Sequence, residues 1–196
     1  MIIEAQSLSG LLLLKPELIG DERGYFAETY RHDALTEASG IAFNFVQDNE
    51  SRSRYGVLRG LHYQKPPYAQ TKLVRVTEGR VLDVAVDIRQ GSPSFGQTFS
   101  VELSSDNKYQ LLVPRGFAHG FVVLSEFATL CYRVDNYYAP SHDAGLAFND
   151  PALAIDWQLP AADIILSAKD QRQPGLAQLQ SGFAVGNNLY QQAPTL

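Results

Sequence analysis

The residues best placed to do chemistry are a histidine, an arginine and a lysine in one short stretch of the chain. Arg59 and His62 lie within Val57–Gln64, and Lys72 lies within the following Gln70–Arg75. A histidine near neutral pH can remove a proton from carbon, a lysine can stabilise the resulting oxyanion, and an arginine can hold an anionic substrate. The alternative is a buried histidine flanked by solvated charges. The spacing indicates a carbon-acid site.

The distribution of charge points to a small anionic ligand. The net charge of -5 argues against a nucleic-acid partner or an anionic membrane surface, since both depend on summed positive charge. Residues 51–80 nevertheless hold seven of the sixteen basic residues, with Glu78 as their one acidic neighbour. A strand edge protected by charge would give the same pattern. We therefore expect a small anionic ligand, no nucleic acid and no membrane.

The sequence also indicates a reducing compartment. The N-terminal residues Met1–Gln6 lack a basic region typical of a leader, and Leu11–Leu14 is too short to cross a bilayer. The single cysteine, Cys131, cannot form an internal disulfide. We expect a cytoplasmic protein in which Cys131 is buried in a strand.

The elements that must position these residues are strands. Segments of alternating apolar and polar residues, separated by Gly, Pro, Ser and Asn, predict an all-β sandwich or barrel; they are 72–77, 80–88, 98–103, 120–124 and 128–134. Helical patterning is limited to Asp33–Ala38 and a short turn at Pro160–Ile165. A parallel α/β sheet would need helices between the strands, and none is predicted there.

Domain organisation is predicted to be simple. The length of 196 residues and the absence of repeats or linkers predict a single domain over residues 1–196. From Pro174 onward the chain has no charged residue, so residues from about 184 to 196 are expected to form a peripheral tail. Phe183 and Tyr190 are the side chains that could dock that tail locally.

A metal site is not expected. Pro114–His119 resembles the second motif of the cupin β-barrels, whose metal-binding members also carry two histidines spaced by one residue and then a glutamate. Here Gln64 stands where the second histidine would be, and no acidic residue follows His62 before Glu78. His119 is then free to contact phosphate, or is an ordinary core histidine.

Further candidates each have an ordinary structural alternative. Tyr132 is either a proton donor inside a barrel, with Cys131 and Arg133 facing the other way, or a core tyrosine. Asp170 is a surface turn residue, or the carboxylate that orients His62 if the fold brings the two together. Two further segments could contact a ligand or simply form turns: Asp21–Glu28, with Arg23 beside Gly24, and Phe45–Ser51, with Gln47 and Asn49.

Six motifs in the same order resemble the dTDP-4-dehydrorhamnose 3,5-epimerase family, a cupin-related group of deoxysugar biosynthesis enzymes. They cover roughly residues 10 to 172 and are Asp21–Gly24, Val46–Asn49, Leu58–His62, Asp83–Arg89, Gly116–Phe121 and Leu166–Asp170. The resemblance implies a cupin-type β-sandwich, or jelly-roll barrel, with a few short peripheral helices. It also implies a homodimer in which the N-terminal segment is exchanged between subunits.

The resemblance further implies roles for individual residues. His62 would be the general base paired with Asp170, Tyr132 the acid on the opposite face of the sugar, and Lys72 the group that stabilises the enolate, with no redox or metal cofactor. Arg59 and His119 would hold the diphosphate. The other implied substrate contacts are Arg23, Phe26, Glu28, Gln47, Asp48, Asn49, Tyr138, Asp143 and Lys169.

The expected reaction is inversion at C3 and C5 of dTDP-4-keto-6-deoxy-D-glucose. The alternatives are an epimerase that inverts only one of these centres, a catalytically silent sugar-nucleotide-binding cupin, and a metal-dependent cupin oxygenase. The chain departs from the family at Ile19, where phenylalanine is common, so that an aromatic contact to thymine is either missing or supplied by Phe26. Asp143 stands where many members have glutamate, and the tail extends past the usual end.

Overall fold

Antiparallel strands dominate the computed structural model, which describes residues 1–190. The strands are β1 (Ile2–Ala5), β2 (Leu12–Lys15), β3 (Ile19–Asp21), β4 (Gly24–Phe26), β5 (Gln47–Arg54), β6 (Leu58–Gln64), β7 (Lys72–Glu78), β8 (Arg80–Asp87), β9 (Thr98–Ser104), β10 (Gln110–Val113), β11 (Phe117–Val123), β12 (Phe127–Val134) and β13 (Asp143–Gly145). Helix α1 (His32–Ser39) is joined by 3-10 helices at Pro140–His142, Pro151–Leu153, Ala161–Asp163, Asp170–Arg172 and Leu176–Gln178.

The strands form two facing sheets and a separate hairpin. The larger sheet has the order β1-β2-β10-β7-β12-β5, the smaller has the order β13-β6-β11-β8-β9, and β3 pairs with β4 alone. From β5 to β8 the chain alternates between the two large sheets, and it does so again from β9 to β12. That crossing pattern is typical of a jelly roll. The prediction of an all-β cupin-type sandwich with a few short helices is confirmed.

The core lies between the sheets and extends over both outer faces. Alternation along β8 shows why: Val81 and Ala85 face the interior of the sandwich, whereas Leu82 and Val84 pack under the segment that covers the smaller sheet. Each fully buried aliphatic side chain contributes about 1.5–3 kcal/mol of transfer free energy. Part of the larger sheet's outer face is covered by α1 through Leu35.

Most predicted elements lie where the sequence indicates them. The strand predicted at 80–88 is β8, and the helix predicted at Asp33–Ala38 is α1, which ends at Gly40 with φ 70° in the left-handed region that favours glycine. The turn expected at Pro160–Ile165 is the 3-10 helix at Ala161–Asp163. Among residues 1–190, no helix has the length and apolar character needed to cross a bilayer.

The C-terminal region over residues 179–190 is docked at a few side chains, chiefly Phe183 and Tyr190, with exposed residues between them. Phe183 is 2% exposed and packs edge-on against Tyr63 with the ring planes inclined by 61°, and Tyr190 packs against Phe43. The tail expected from about residue 184 thus has exposed residues from Val185 to Asn188 and one docked aromatic residue, Tyr190. Residues 191–196 of that expectation lie outside the described part of the chain.

Candidate active site

A cavity of about 450 Å³ opens between the two sheets. The smaller sheet contributes residues from β6 and β11, the larger sheet contributes residues from β5, β7 and β12, and the turn before Asp170 closes one side. Its polar lining is Glu50, Ser51, Arg59, His62, Lys72, His119, Tyr132, Ser167, Lys169 and Asp170. The rest of its wall is apolar, including Leu58, Phe121 and Leu130. Charge inside this cavity is consequently less screened than at the surface.

His62 and Asp170 meet in this cavity. The Nε2 atom of His62 lies 2.5 Å from Oδ1 of Asp170, which is 4% exposed. Burial tends to raise the pKa of Asp170, but the hydrogen bond and charge of His62, with the hydroxyl of Ser167, bring that pKa below its usual value. Asp170 is therefore a carboxylate and accepts the proton on Nε2, which leaves Nδ1 as the basic nitrogen.

Lys72 projects from β7 on the facing sheet. Its Nζ lies 3.4 Å from the backbone oxygen of His62. Burial lowers the pKa of Lys72 to about 8, and this effect is partly offset by the carboxylates of Asp83 and Asp143, while Lys169 lowers it further. Because this pKa still lies above 7, the Lys72 ammonium is mostly charged at pH 7. Its burial leaves that charge only weakly hydrated.

Tyr132 reaches the same cavity from β12. Its neighbours Cys131 and Arg133 face the outer side of the larger sheet, as predicted, where Arg133 pairs with Asp48 at 3.2 Å. Cys131 is only partly buried there, in contrast to the expected core position. Burial raises the pKa of Tyr132, and Asp143 adds to this while Arg59 opposes it. The phenol of Tyr132 therefore holds its proton at neutral pH.

His119 is bound to a carboxylate that the sequence analysis did not single out. Its Nε2 lies 2.9 and 3.0 Å from the two carboxylate oxygens of Asp83, which is completely buried. In the sheet, His119 lies directly opposite His62. The signal that could have identified Asp83 is an acidic residue in the middle of an otherwise apolar strand, because such a residue needs a buried partner.

Two groups of side chains surround the cavity. Arg59 donates from Nε to Ser53 Oγ at 3.0 Å and is otherwise exposed to the cavity. At the rim, Asp143 accepts hydrogen bonds from the hydroxyl of Tyr138 at 2.9 Å and from Lys169. The structure thus brings Tyr138, Asp143 and Lys169 together, and Arg59 lines the same cavity as His119.

Strand β5 lines the cavity through Ser51 and Glu50, whereas its amide residues Gln47 and Asn49 are not among the lining residues. Gln47 donates from Nε2 to Asn49 Oδ1 at 2.7 Å, and these residues share a face with Ser51 and Ser53. The alternative of an ordinary turn in this segment is wrong, since residues 47–54 are a strand. Asp48 belongs to the other face because side chains alternate along a strand. Its carboxylate pairs with Arg133, so the structure does not bring Asp48 to the cavity.

The N-terminal candidates are also apart from the cavity of their own chain. Arg23 lies in the turn between β3 and β4, is 84% exposed and pairs with Asp21. Phe26 is 69% exposed, and Glu28 is exposed as well. None of these three lines the cavity. Ile19, opposite Phe26 in the hairpin, is 64% exposed.

Gln64 fills the position at which metal-binding cupins carry a histidine. Its amide donates to the backbone oxygens of Tyr68 and Tyr137 and accepts from the N–H of Ala139 at 2.6 Å. All of its hydrogen-bonding capacity is thus directed at the backbone. Within residues 1–190, no three His, Cys, Asp or Glu side chains converge as metal ligands would.

An oriented imidazole and a protonated phenol that face one cavity from different sheets are what inversion of a carbon centre requires, so the fold and the site define a cupin-type epimerase. Comparison with known proteins gives the family. The sequence model of the dTDP-4-dehydrorhamnose 3,5-epimerase family matches residues 5–178. The chain belongs to this family.

Individual relatives agree over most of the chain. The dTDP-4-dehydrorhamnose 3,5-epimerase of Salmonella typhimurium is 50% identical over 91% of this chain and 97% of its own length. A crystal structure of the dTDP-6-deoxy-D-glucose-3,5-epimerase of Legionella pneumophila in complex with dTDP-4-keto-L-rhamnose has a TM-score of 0.87 and 47% identity, covering 91% of this chain and 94% of that one. A dTDP-4-dehydrorhamnose 3-epimerase of Streptomyces niveus is 37% identical over 87% of this chain and 82% of its own length.

Proposed function

We propose that this enzyme inverts C3 and C5 of dTDP-4-keto-6-deoxy-D-glucose. The observation that carries the proposal is the placement of His62 and Tyr132 on facing sheets of one cavity. The Nδ1 atom of His62 takes the proton from carbon, and the electron pair of the C–H bond moves into the C4 carbonyl. Lys72 stabilises the enolate oxygen that forms, and the phenol of Tyr132 returns a proton to the other face.

The proton balance closes without any additional reagent. One inversion leaves His62 protonated and Tyr132 as a phenolate, and both return to their starting states by exchange with water. The substrate supplies its own ketone, which acidifies the hydrogens at C3 and at C5, so the reaction needs no redox or metal cofactor. The single cysteine, Cys131, supports our placement of this chemistry in a reducing, cytoplasmic compartment.

The polar lining supplies the contacts that a nucleotide sugar needs. Arg59 and His119 bind the diphosphate, since both lie on the cavity wall and Arg59 is held by Ser53. Gln47 and Asn49 contact the nucleotide from β5. The rim cluster of Tyr138, Asp143 and Lys169 lies where it can close over the bound substrate.

The exposed hairpin supports a homodimer with exchanged N-terminal segments. Ile19, Tyr25 and Phe26 are each more than half exposed. A cluster of exposed apolar side chains on one short hairpin is typical of a surface that contacts another protein chain. Docked against a second copy, the hairpin brings Arg23, Phe26 and Glu28 to the partner's cavity. In that arrangement Phe26 supplies the aromatic contact to the base that Ile19 does not.

The second candidate is an epimerase that inverts one centre only. The 3-epimerase of Streptomyces niveus, at 37% identity, shows that such an enzyme exists among the relatives. Both candidates use the same base, and they differ in which protons leave carbon and return on the opposite face. Measurement of each centre separately therefore distinguishes them.

The test is proton NMR of dTDP-4-keto-6-deoxy-D-glucose incubated with the enzyme in heavy water. Deuterium incorporation at C3 and C5 with inversion of both centres is the expected result. Incorporation at one centre supports the single-centre epimerase, and incorporation at neither overturns the proposal.

Two variants test the assigned roles. His62→Ala removes the base and abolishes exchange at both carbons. Tyr132→Phe keeps the base, so deuterium still enters at the face of removal, but inversion slows by about 10²-fold or more. Inversion of both centres by Tyr132→Phe at the wild-type rate contradicts the assignment of the acid.

A further inference from the structure

The end of the described chain lies beyond the part that the family model matches. Residues 179–190, here named the C-terminal clasp, follow residue 178, where that match stops. The clasp begins on the outer face of the smaller sheet, where Ser181 and Phe183 are buried and Ser181 Oγ donates to the backbone oxygen of Ile88 at 2.8 Å. It ends at the larger sheet, with Tyr190.

Tyr190 is partly buried at that end and packs among fully buried residues. Its ring packs edge-on against Phe43 with 5.8 Å between centroids, and the guanidinium of Arg115 lies 5.1 Å from its centre. Its hydroxyl lies 3.1 Å from Thr71 Oγ1 and accepts the backbone N–H of Arg115 at 3.3 Å. Arg115 in turn donates to the backbone oxygen of Leu189 at 2.8 Å.

The same site holds a buried ion pair. Arg115 Nε donates to Asp135 Oδ2 at 3.2 Å, and the side chains of these two residues are 4% and 5% exposed. The backbone N–H of Thr71 donates to Asp135 Oδ1 at 2.6 Å. A buried ion pair stabilises one arrangement only when its remaining hydrogen-bonding groups are satisfied. The clasp supplies one of these contacts directly, the Leu189 oxygen, whereas the Tyr190 hydroxyl bonds the Thr71 side chain and the backbone N–H of Arg115 on either side of the pair.

The site ties together the ends of three neighbouring strands. Lys72 is the first residue of β7 and lies directly opposite Val113 at the end of β10 and Val134 at the end of β12. Thr71 precedes Lys72, Asp135 follows Val134, and Arg115 comes shortly after Val113. The network of Thr71, Arg115 and Asp135 therefore lies next to the cross-strand row of residues that contains Lys72.

We propose that Tyr190 is a positioning residue for Lys72: its hydroxyl completes the network that fixes the start of β7, and with it the direction in which the Lys72 ammonium enters the cavity. This inference rests on the proposed function, in which Lys72 stabilises the enolate. Tyr190 itself touches no substrate in this arrangement. Burial raises the pKa of its phenol, so the hydroxyl remains protonated over the working pH range.

The experiment compares Tyr190→Phe, which removes the hydroxyl alone, with Ser181→Ala. The control removes a buried hydroxyl from the same clasp at the other sheet. For Tyr190→Phe we expect kcat to fall about tenfold while KM changes less than about twofold, because misplacement of a group needed in the transition state lowers kcat. The alkaline limb of the rate should move to higher pH as Lys72 becomes better hydrated.

A double-mutant cycle with Thr71→Val keeps the proposal testable if either variant is less stable. If Tyr190 acts through Thr71, the double variant loses no more of kcat than the larger single loss. Wild-type kcat and pH dependence in Tyr190→Phe, additive losses in the cycle, or an equal loss of kcat in Ser181→Ala each overturn the proposal. Failure of the proposed function would appear separately, as a wild-type enzyme that does not epimerise the substrate.

Discussion

His62 Nε2 and Asp170 Oδ1 are 2.5 Å apart, although the two residues are separated by 108 positions in the sequence. The pair forms because β6 belongs to the middle of the sandwich and the 3-10 helix at Asp170–Arg172 lies against it. A carboxylate at this distance selects the imidazole tautomer with a basic Nδ1 and stabilises the imidazolium formed during proton removal.

Replacement of the orienting carboxylate is the first prediction. Asp170→Asn keeps the shape of the side chain but can present an amide to Nε2, which favours the wrong tautomer of His62. We expect kcat for deuterium exchange to fall about 10²- to 10⁴-fold. Asp143→Asn, a carboxylate change at the rim, is the control and should affect KM more than kcat. Retention of wild-type exchange by Asp170→Asn would contradict the pairing as a functional one.

The second prediction concerns the alkaline side of the pH profile. The ammonium of Lys72 has a pKa of about 8, and Asp83, Asp143 and Lys169 are the charges that act on it. As pH rises through that value, Lys72 loses the charge that stabilises the enolate, so kcat/KM of the free enzyme should fall. Lys72→Arg should retain its activity to higher pH because guanidinium stays protonated. Initial rates measured from about pH 6 to about pH 10 give the pH profiles of the wild type and of Lys72→Arg.

As pH rises, the contribution of Lys72 to stability should increase while its contribution to activity falls. Because the folded pKa of about 8 lies below the ordinary 10.5, the unfolded chain binds the Lys72 proton more tightly than the folded chain. The free energy of unfolding contributed by this group therefore rises as pH increases from about 8 towards 10.5. Lys72→Met should raise the free energy of unfolding at neutral pH by on the order of 2 kcal/mol while abolishing epimerisation. Urea denaturation at several pH values gives the difference, and a variant less stable than the wild type at pH 7 contradicts it.

Close packing of β6 on β11 gives the fourth prediction. Gly60 has φ +138°, and a Cβ atom placed there would lie 2.5 Å from the Cα of Gly120. Gly60→Ala should lower the free energy of unfolding by more than about 3 kcal/mol. Gly91 also has a positive φ, +78°, but a Cβ there meets nothing within 4 Å, so Gly91→Ala should cost only about 1 kcal/mol. Equal losses in the two variants would show that backbone strain, not the strand contact, controls the effect.

Subunit exchange can be tested by complementation. His62→Ala lacks the base and Arg23→Ala lacks the hairpin cation, so each variant alone should be impaired at low substrate concentration. If hairpins are exchanged, a mixed dimer assembles one cavity with both residues intact, and an equimolar mixture should recover about a quarter of the wild-type rate. Measurement of the mixture after dissociation and reassociation provides the test. No recovery despite mixed dimers would place Arg23 in its own chain's site or in none.

The sequence alone predicts the direction of a side chain where burial and the strand period agree. β8 alternates between two apolar environments and β12 between the cavity and the outer face, so the side from which Tyr132 projects could be predicted from Cys131 and Arg133 alone. β5 was not predicted as a strand, because its inner residues line a polar cavity and its outer residues are charged, which removes the apolar alternation. A strand of this kind is visible only through its hydrogen-bonded neighbour, β12.

Other features depended on contacts between distant segments. The pairing of His119 with Asp83 and the closure of Arg115 and Asp135 by Tyr190 join positions that no local pattern relates. The same holds for the rim, where Asp143 of β13 meets Lys169 from the segment that follows the last strand. Residue types are enough to indicate candidate site residues, but the side chains that pair with them follow from the topology of the fold.

The alternation of β5 has an evolutionary consequence. Odd-numbered positions such as Gln47 and Asn49 share one surface, and even-numbered positions such as Asp48 and Arg52 share the other, where they pair with Arg133 and Glu78. If Gln47 and Asn49 contact the nucleotide as proposed, substitutions on their face of β5 can change the base preference while the ion pairs of the opposite face are kept. On that proposal, adaptation to another nucleotide leaves the supporting ion pairs of the sheet unchanged.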